Sequence, residues 1–181
     1  DLLYGNLPNI VLTEKGEILY MEKSKKHLNS ELLRRNVFDL IYSDSDIDSG
    51  INAALACVGE GFGLSRVYIF ENNETNTHSN NTFEWCAKGI EPQIEQLQNM
   101  SFEEYDYQSL FDEQGLCLCP DVSKLPDMLK DLFESQGIYA TLQHAIYDKG
   151  IFRGFVGFDD CEKARHDWQE DKDSIDTLIY I

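Results

Sequence analysis

A chain of 181 residues with 42% hydrophobic content is long enough for one well-formed core, and any second folded unit has to be very small. Its formal charge of -18, from 33 acidic against 15 basic side chains, argues against a nucleic-acid backbone as partner, because such binding runs on clustered lysine and arginine. It disfavours an anionic membrane surface likewise.

No apolar run approaches the ~20 residues needed to cross a bilayer, and no basic segment followed by an apolar stretch opens the chain, so the sequence reads as cytoplasmic. Five cysteines, an odd number without a secretory signal, argue against a disulfide framework. The chain begins at Asp1 and stops inside an apolar helical pattern, Ile175 to Ile181, which is the expectation for a piece of a longer polypeptide.

In chain order, residues 1–30 carry a short hairpin pattern, Asn9 to Thr13 and Glu17 to Met21 around Glu14-Lys15-Gly16. Two strands alone are marginal, so this segment either ends an upstream sensor domain or linker or adds strands to the unit that follows. From Ser30 the period becomes helical, with Leu33, Val37, Leu40 and Ile41 on one face. A second helix repeats Ile47, Ile51, Ala54, Leu55, Val58 and Phe62, with Asp46 at its start and Gly61 or Gly63 ending it. Gly59, Gly61 and Gly63 close a helix rather than opening one after a strand, so they do not make a phosphate loop.

Strands are predicted at Arg66 to Glu71, Phe83 to Lys88, Leu116 to Cys119, Ala140 to Tyr147 and Ile151 to Phe158. The polar stretch Asn72 to Asn81 joins the first two, and Asp148-Lys149-Gly150 turns the last pair. Helices are expected at Glu91 to Met100, at Pro126 to Gln136 and from about Asp167 to the end. This order predicts an α+β unit, one antiparallel sheet with flanking helices, over 31–181.

Alternation along the strands sets Phe83, Trp85 and Ala87 against Glu84 and Cys86, and Leu142, His144 and Ile146 against Gln143, Ala145 and Tyr147. The apolar set should meet the helices, leaving Arg66, Glu84 and Gln143 toward a ligand or solvent. Trp85 is a core anchor or a stacking surface, and His144 either touches a ligand or packs at the sheet surface. Cys117 and Cys119 share one strand face, spaced too widely for an obvious disulfide, and the four histidines are scattered, so a metal centre lacks ligands. Asp159 and Asp160, at the end of a strand, read as turn and cap residues.

Several of these pieces together resemble one family. They are Ser65-Arg66-Val67-Tyr68-Ile69-Phe70, Thr82-Phe83-Glu84-Trp85-Cys86, Gly150-Ile151-Phe152-Arg153-Gly154, and Gly157-Phe158-Asp159-Asp160-Cys161 running through Arg165 to Trp168. In order and spacing they resemble a GAF domain, a PAS-related fold, of the kind attached to bacterial diguanylate cyclases (GGDEF proteins) and sensor histidine kinases. The resemblance implies a sheet of about six antiparallel strands, helices on one side, and a small-molecule pocket on the other. Related domains bind cyclic nucleotides, haem, bilins or amino acids, and many bind nothing known. The family often has proline near the end of the penultimate strand, where this chain has Ala145-Ile146-Tyr147.

The implied function is a non-catalytic sensor module that homodimerises through its first and last helices and signals to a covalently linked output domain. Its ligand is an unidentified small molecule, with no cofactor or metal required. The candidate ligand-binding residues are Arg66, Glu84, Trp85, Cys117, Cys119, Gln143 and His144. One alternative is a dimerisation module with a collapsed pocket. A further one is a cysteine-based redox sensor or enzyme using Cys86, Cys117 or Cys119, since a GAF-fold enzyme reduces free methionine sulfoxide with cysteine nucleophiles. The glycine-rich cysteine motifs of that enzyme are missing here, and so is a Cys-His pair for bilin attachment. A sensor should keep a cavity on the order of a few hundred Å3, whereas a pairing module should not.

Overall fold

The computed structural model describes residues 31–42, 46–104, 107–166 and 168. The expected hairpin of Asn9 to Thr13 and Glu17 to Met21, and the expected terminal helix beyond Trp168, lie outside them. The described elements are helix α1 (31–42), α2 (Ile47–Phe62), strands β1 (Arg66–Asn72), β2 (His78–Cys86), β3 (Met100–Ser101) and β4 (Leu116–Cys119), helix α3 (Asp127–Ser135), and strands β5 (Ala140–Asp148) and β6 (Ile151–Asp160). The six strands form one antiparallel sheet in the order β3-β2-β1-β6-β5-β4.

The apolar stripe of α2 buries Ala54, Leu55 and Val58 together with Val37 of α1 against Val67, Leu142 and Phe158 of the sheet. Gly59 lets the helix approach closely, because a Cβ there would enter the Trp85 ring. The helix stops at Gly63, whose left-handed conformation (φ 60°) turns the chain so that Leu64 N–H donates to Gly59 O at 2.8 Å. Arg165 completes that terminus from about a hundred residues away: its guanidinium donates to Phe62 O at 2.8 Å and Gly63 O at 3.3 Å while lying over the buried Trp168 ring. This explains why Arg165 and Trp168 occur together after β6. Both cap and anchor the α2 end of the core.

On the other face a second cluster, Tyr68, Phe70, Ala145, Phe152 and Phe155, is covered by Leu97, Met100, Phe102 and Phe111 from the long connection between β2 and β4. A third, Cys119, Val122, Phe133 and Ile138, sits beneath α3.

Two sequence expectations need correction. The strand after β1 begins at His78 rather than Phe83, because Ser79 and Asn81 are buried within the sheet and the turn is confined to the residues around Asn76. Asn, Ser and Thr favour turns in general, and here their side chains bond within the hairpin instead. The helix expected at Glu91 to Met100 is absent. Glu84 takes the N–H groups of Gln93 and Ile94, Asn81 N–H donates to Leu97 O, and Met100–Ser101 pairs with His78 and Ser79 as β3. Contacts from β2 draw this segment down as a cover.

Candidate functional site

Register sets the site. Two rows of neighbours cross the sheet on the face away from α1 and α2: Cys117, Gln143, Gly157, Tyr68 and Glu84, and beside it Cys119, Thr141, Asp159, Arg66 and Cys86. The polar groups of five strands therefore gather at one place. Gly157 gives the Tyr68 ring its room, since a Cβ there would run into it. The Tyr68 hydroxyl donates to Asp159 Oδ1 at 3.1 Å and accepts from Gln143 Nε2 at 2.9 Å, and Thr141 Oγ1 donates to the same Asp159 oxygen at 2.7 Å.

Arg66 lies between two carboxylates, its Nε 3.7 Å from Glu84 Oε1 and its Nη1 3.5 Å from Asp159 Oδ2, with side chains only 3%, 2% and 0% exposed. It also donates through Nη2 to Glu91 O at 3.1 Å and Gln136 O at 3.4 Å. Glu84 Oε2 accepts from Gln93 N–H at 2.8 Å and Ile94 N–H at 3.1 Å. One buried cation and one buried anion thus hold two covering pieces, the segment after β2 and the end of α3, onto the sheet.

One guanidinium cannot balance two carboxylates. Glu84 is satisfied by two backbone donors and Asn81 Nδ2, whereas Asp159 Oδ2 is buried without a hydrogen-bond partner. Burial pushes the Asp159 carboxyl up to about 6, with Arg66, Thr141 and Tyr68 opposing it. The Tyr68 phenol is raised well above its ordinary range by burial and then by Asp159. For Arg66, burial is outweighed by Asp159, Cys161 and Glu84, so its charge is held firmly.

Above this floor lies a hollow lined by Arg66, Tyr68, Asn81, Glu84, Gln143 and Gln136 at its polar end, with Phe70, Phe155, Tyr107 and leucines around them. Its volume is about 30 Å3, room for about one water, against the few hundred Å3 expected of an open sensor pocket. A separate apolar groove of about 180 Å3 lies between α1, α2 and the sheet.

Of the candidate residues, Arg66, Glu84 and Gln143 meet in this hollow. Cys117 and Cys119 share its sheet face, but Cys119 packs with Val122 and Phe133 under α3. Trp85 and His144 are on the opposite face, in register with Val67 and Val156, and are not brought to the hollow. Arg66 differs in role from the expectation, since its Nη2 holds two backbone carbonyls and its charge faces two carboxylates, with Nε left buried without a hydrogen bond. Asp159, expected at a turn, is instead the buried acid of the cluster, while Asp160 Oδ1 does accept from Glu162 N–H and Lys163 N–H in a turn. Tyr68 and Asn81 were also missed. Tyr68 is placed by its register with Gly157, which only the folded sheet reveals.

Burial disfavours the thiolate at each cysteine. All five are free; burial first pushes Cys117 up to about 12, and Cys86 and Cys161 up to about 11. Iodoacetamide at pH 7.5 is therefore expected to alkylate the native cysteines at least about tenfold more slowly than free cysteine. A rate equal to free cysteine at Cys117 or Cys119 revives the redox reading. Among the described residues no cluster of three or more His, Cys, Asp or Glu side chains is placed to hold a metal, and no helix is long and apolar enough to cross a membrane.

No family model matches the chain. Over 125 residues, 66% of the chain, it is 32% identical to the methanogenesis regulatory histidine kinase FilI of Methanothrix harundinacea (strain 6Ac), and the match spans 14% of that protein. Its fold is similar to the phycoerythrobilin-bound GAF domain of a cyanobacterial phytochrome, with a TM-score of 0.69 at 14% identity over 85% of this chain and 92% of that one. It is similar also to the free methionine-R-sulfoxide reductase of Neisseria meningitidis, with a TM-score of 0.62 at 15% identity over 86% of each chain.

Proposed function

We propose, from the premise that this chain has the GAF fold, that it is a regulatory sensor module of a larger signalling protein. The module spans 31–181, takes a small molecule in the hollow over Tyr68 and Gln143, and passes the signal through its terminal helices to a covalently linked output domain. A ligand that favours one arrangement of cover and helices shifts the population toward it. The similarity to a regulatory histidine kinase favours a kinase output over a diguanylate cyclase, and the module itself has no catalytic role. Five unpaired thiols suit a reducing, cytoplasmic setting.

The observation that carries this reading is the polar cluster itself. Three charges and a tyrosine buried beneath irregular cover segments stabilise a core less than apolar packing of the same volume does, so a purely structural floor is a poor use of them. Mass spectrometry under native and then denaturing conditions tests it. A reproducible small mass released on unfolding is the expected result; an empty protein that also fails to gain thermal stability from a metabolite panel contradicts it.

One observation favours a second reading, a pairing module that binds nothing: the hollow is only about 30 Å3. In either case the pairing surface proposed is the outer side of α1, where Phe38 and Tyr42 are 50% and 62% exposed with ring centroids 4.5 Å apart. Sedimentation showing only monomer at high concentration contradicts pairing.

A further inference from the structure

The charges around the hollow decide what kind of molecule suits it. Arg66, the one cation lining it among the described residues, directs Nη2 to two carbonyls and faces Asp159 through Nη1, and its one orphaned donor, Nε, lies 3.7 Å from the Glu84 carboxylate, which repels an incoming anion there. With both acids ionised the cluster carries one excess negative charge. A second, independent feature is Asn81, 2% exposed and lining the hollow. Its Nδ2 donates to Glu84 Oε1, which fixes the amide's orientation because a carboxylate only accepts; its Oδ1 is then a buried acceptor without a partner. The remaining walls are aromatic: Phe70 and Phe155 stack at 4.6 Å, and Tyr68 stands edge-on to both. An orphan acceptor, excess negative charge and π faces together favour a positively charged N–H donor.

We propose that the hollow takes a small ammonium-type cation, ammonium or a methylated amine, its N–H bonded to Asn81 Oδ1 and its charge balancing the second carboxylate. The volume, about that of one water, suits a molecule of this size better than a nucleotide or a tetrapyrrole. This rests on reading the hollow as the ligand site. Binding then competes with a proton. Asp159 lies beneath the hollow, against Arg66 and Tyr68, and does not itself line it; the groups that act on it are Arg66 and Tyr68 on β1, Glu84 on β2, Cys117 on β4 and Cys161 after β6, and burial holds its carboxyl up to about 6 and the thiols and the phenol neutral.

The test follows the side-chain amide resonances of Asn81 and Gln143 while the 181-residue chain is titrated with methylammonium chloride, against sodium chloride, sodium acetate and acetamide at matched ionic strength. The expected result is a saturable shift with methylammonium alone. Its affinity should fall, by up to about tenfold, between pH 7.5 and pH 5, as only about a tenth of Asp159 stays ionised at the lower value. In Asp159→Asn that pH dependence should vanish, with the affinity at pH 7.5 reduced at least as far. Saturable shifts with acetate or acetamide but not methylammonium overturn the cation and leave the hollow standing as a site. No shift with any probe overturns the cation too, and if unfolding also releases no small mass, the ligand-site reading fails with it. An unchanged pH dependence in Asp159→Asn overturns the proton competition.

Discussion

Replacing Arg66 by methionine is expected to cost about 3–5 kcal/mol of stability at pH 7.5, the largest loss of any single change at the site. The substitution keeps an unbranched apolar stem but leaves Glu84 and Asp159 buried without their cation. It also removes the donors to Glu91 O and Gln136 O, so both covering segments lose a tie to the sheet. Chemical denaturation of the two proteins measures the difference. The loss should shrink when Asp159→Asn is added, because one of the stranded charges is gone, and this non-additivity marks the pair as coupled. A loss below about 1 kcal/mol, or full additivity, contradicts the arrangement described.

The second large effect is a pH dependence of unusual sign. An ordinary aspartate, at 3.8, is raised here to about 6, so between these values the folded protein holds a proton that the unfolded chain has released. Stability from this group is complete below the unfolded value and is lost as pH rises through about 6. At about 1.4 kcal/mol per decade the shift corresponds to about 3 kcal/mol. Asp159→Asn lacks the titration. Relative to that variant, the wild type should therefore gain about 2 kcal/mol of this stability between pH 7.5 and pH 4, read as the difference of two denaturation series so that the other acids cancel. Parallel curves would show that Asp159 stays ionised in the fold.

Much of the fold is legible in residue order. Apolar repeats at three and four place α2, Gly63 ends it, and the Lys149-Gly150 turn, with both residues at positive φ, joins β5 to β6 where its chemistry demands. The readings that failed share one cause, a local preference overridden from a distance. The Asn and Ser residues of β2 look like a turn until β1 and the covering segment supply their partners. The stretch from Glu91 to Met100 has helical composition, but Glu84 and Asn81 capture its backbone.

The site shows the same division. Alternation along single strands separates Gln143 and Glu84 from Trp85 and His144, because side-chain period is a local property. The meeting of Arg66 with Asp159 depends on the register of β1 against β6, strands more than seventy residues apart, and no local pattern encodes it. Asp159-Asp160 accordingly resembles a turn signal, and only one of the two serves that purpose.

The central claim is that the hollow is a site that opens to admit a ligand, and native-state hydrogen exchange of the cover tests it most directly. The N–H groups of Gln93 and Ile94 are held by Glu84 Oε2, whereas β1 is paired on both sides within the sheet. If the cover opens, these two amides exchange through a local event at least about 3 kcal/mol easier than the global unfolding that frees β1, and addition of a bound ligand slows them selectively. If Gln93 and Ile94 exchange only with global unfolding, the cover is a permanent part of the core, and the module pairs proteins without sensing a molecule in this hollow.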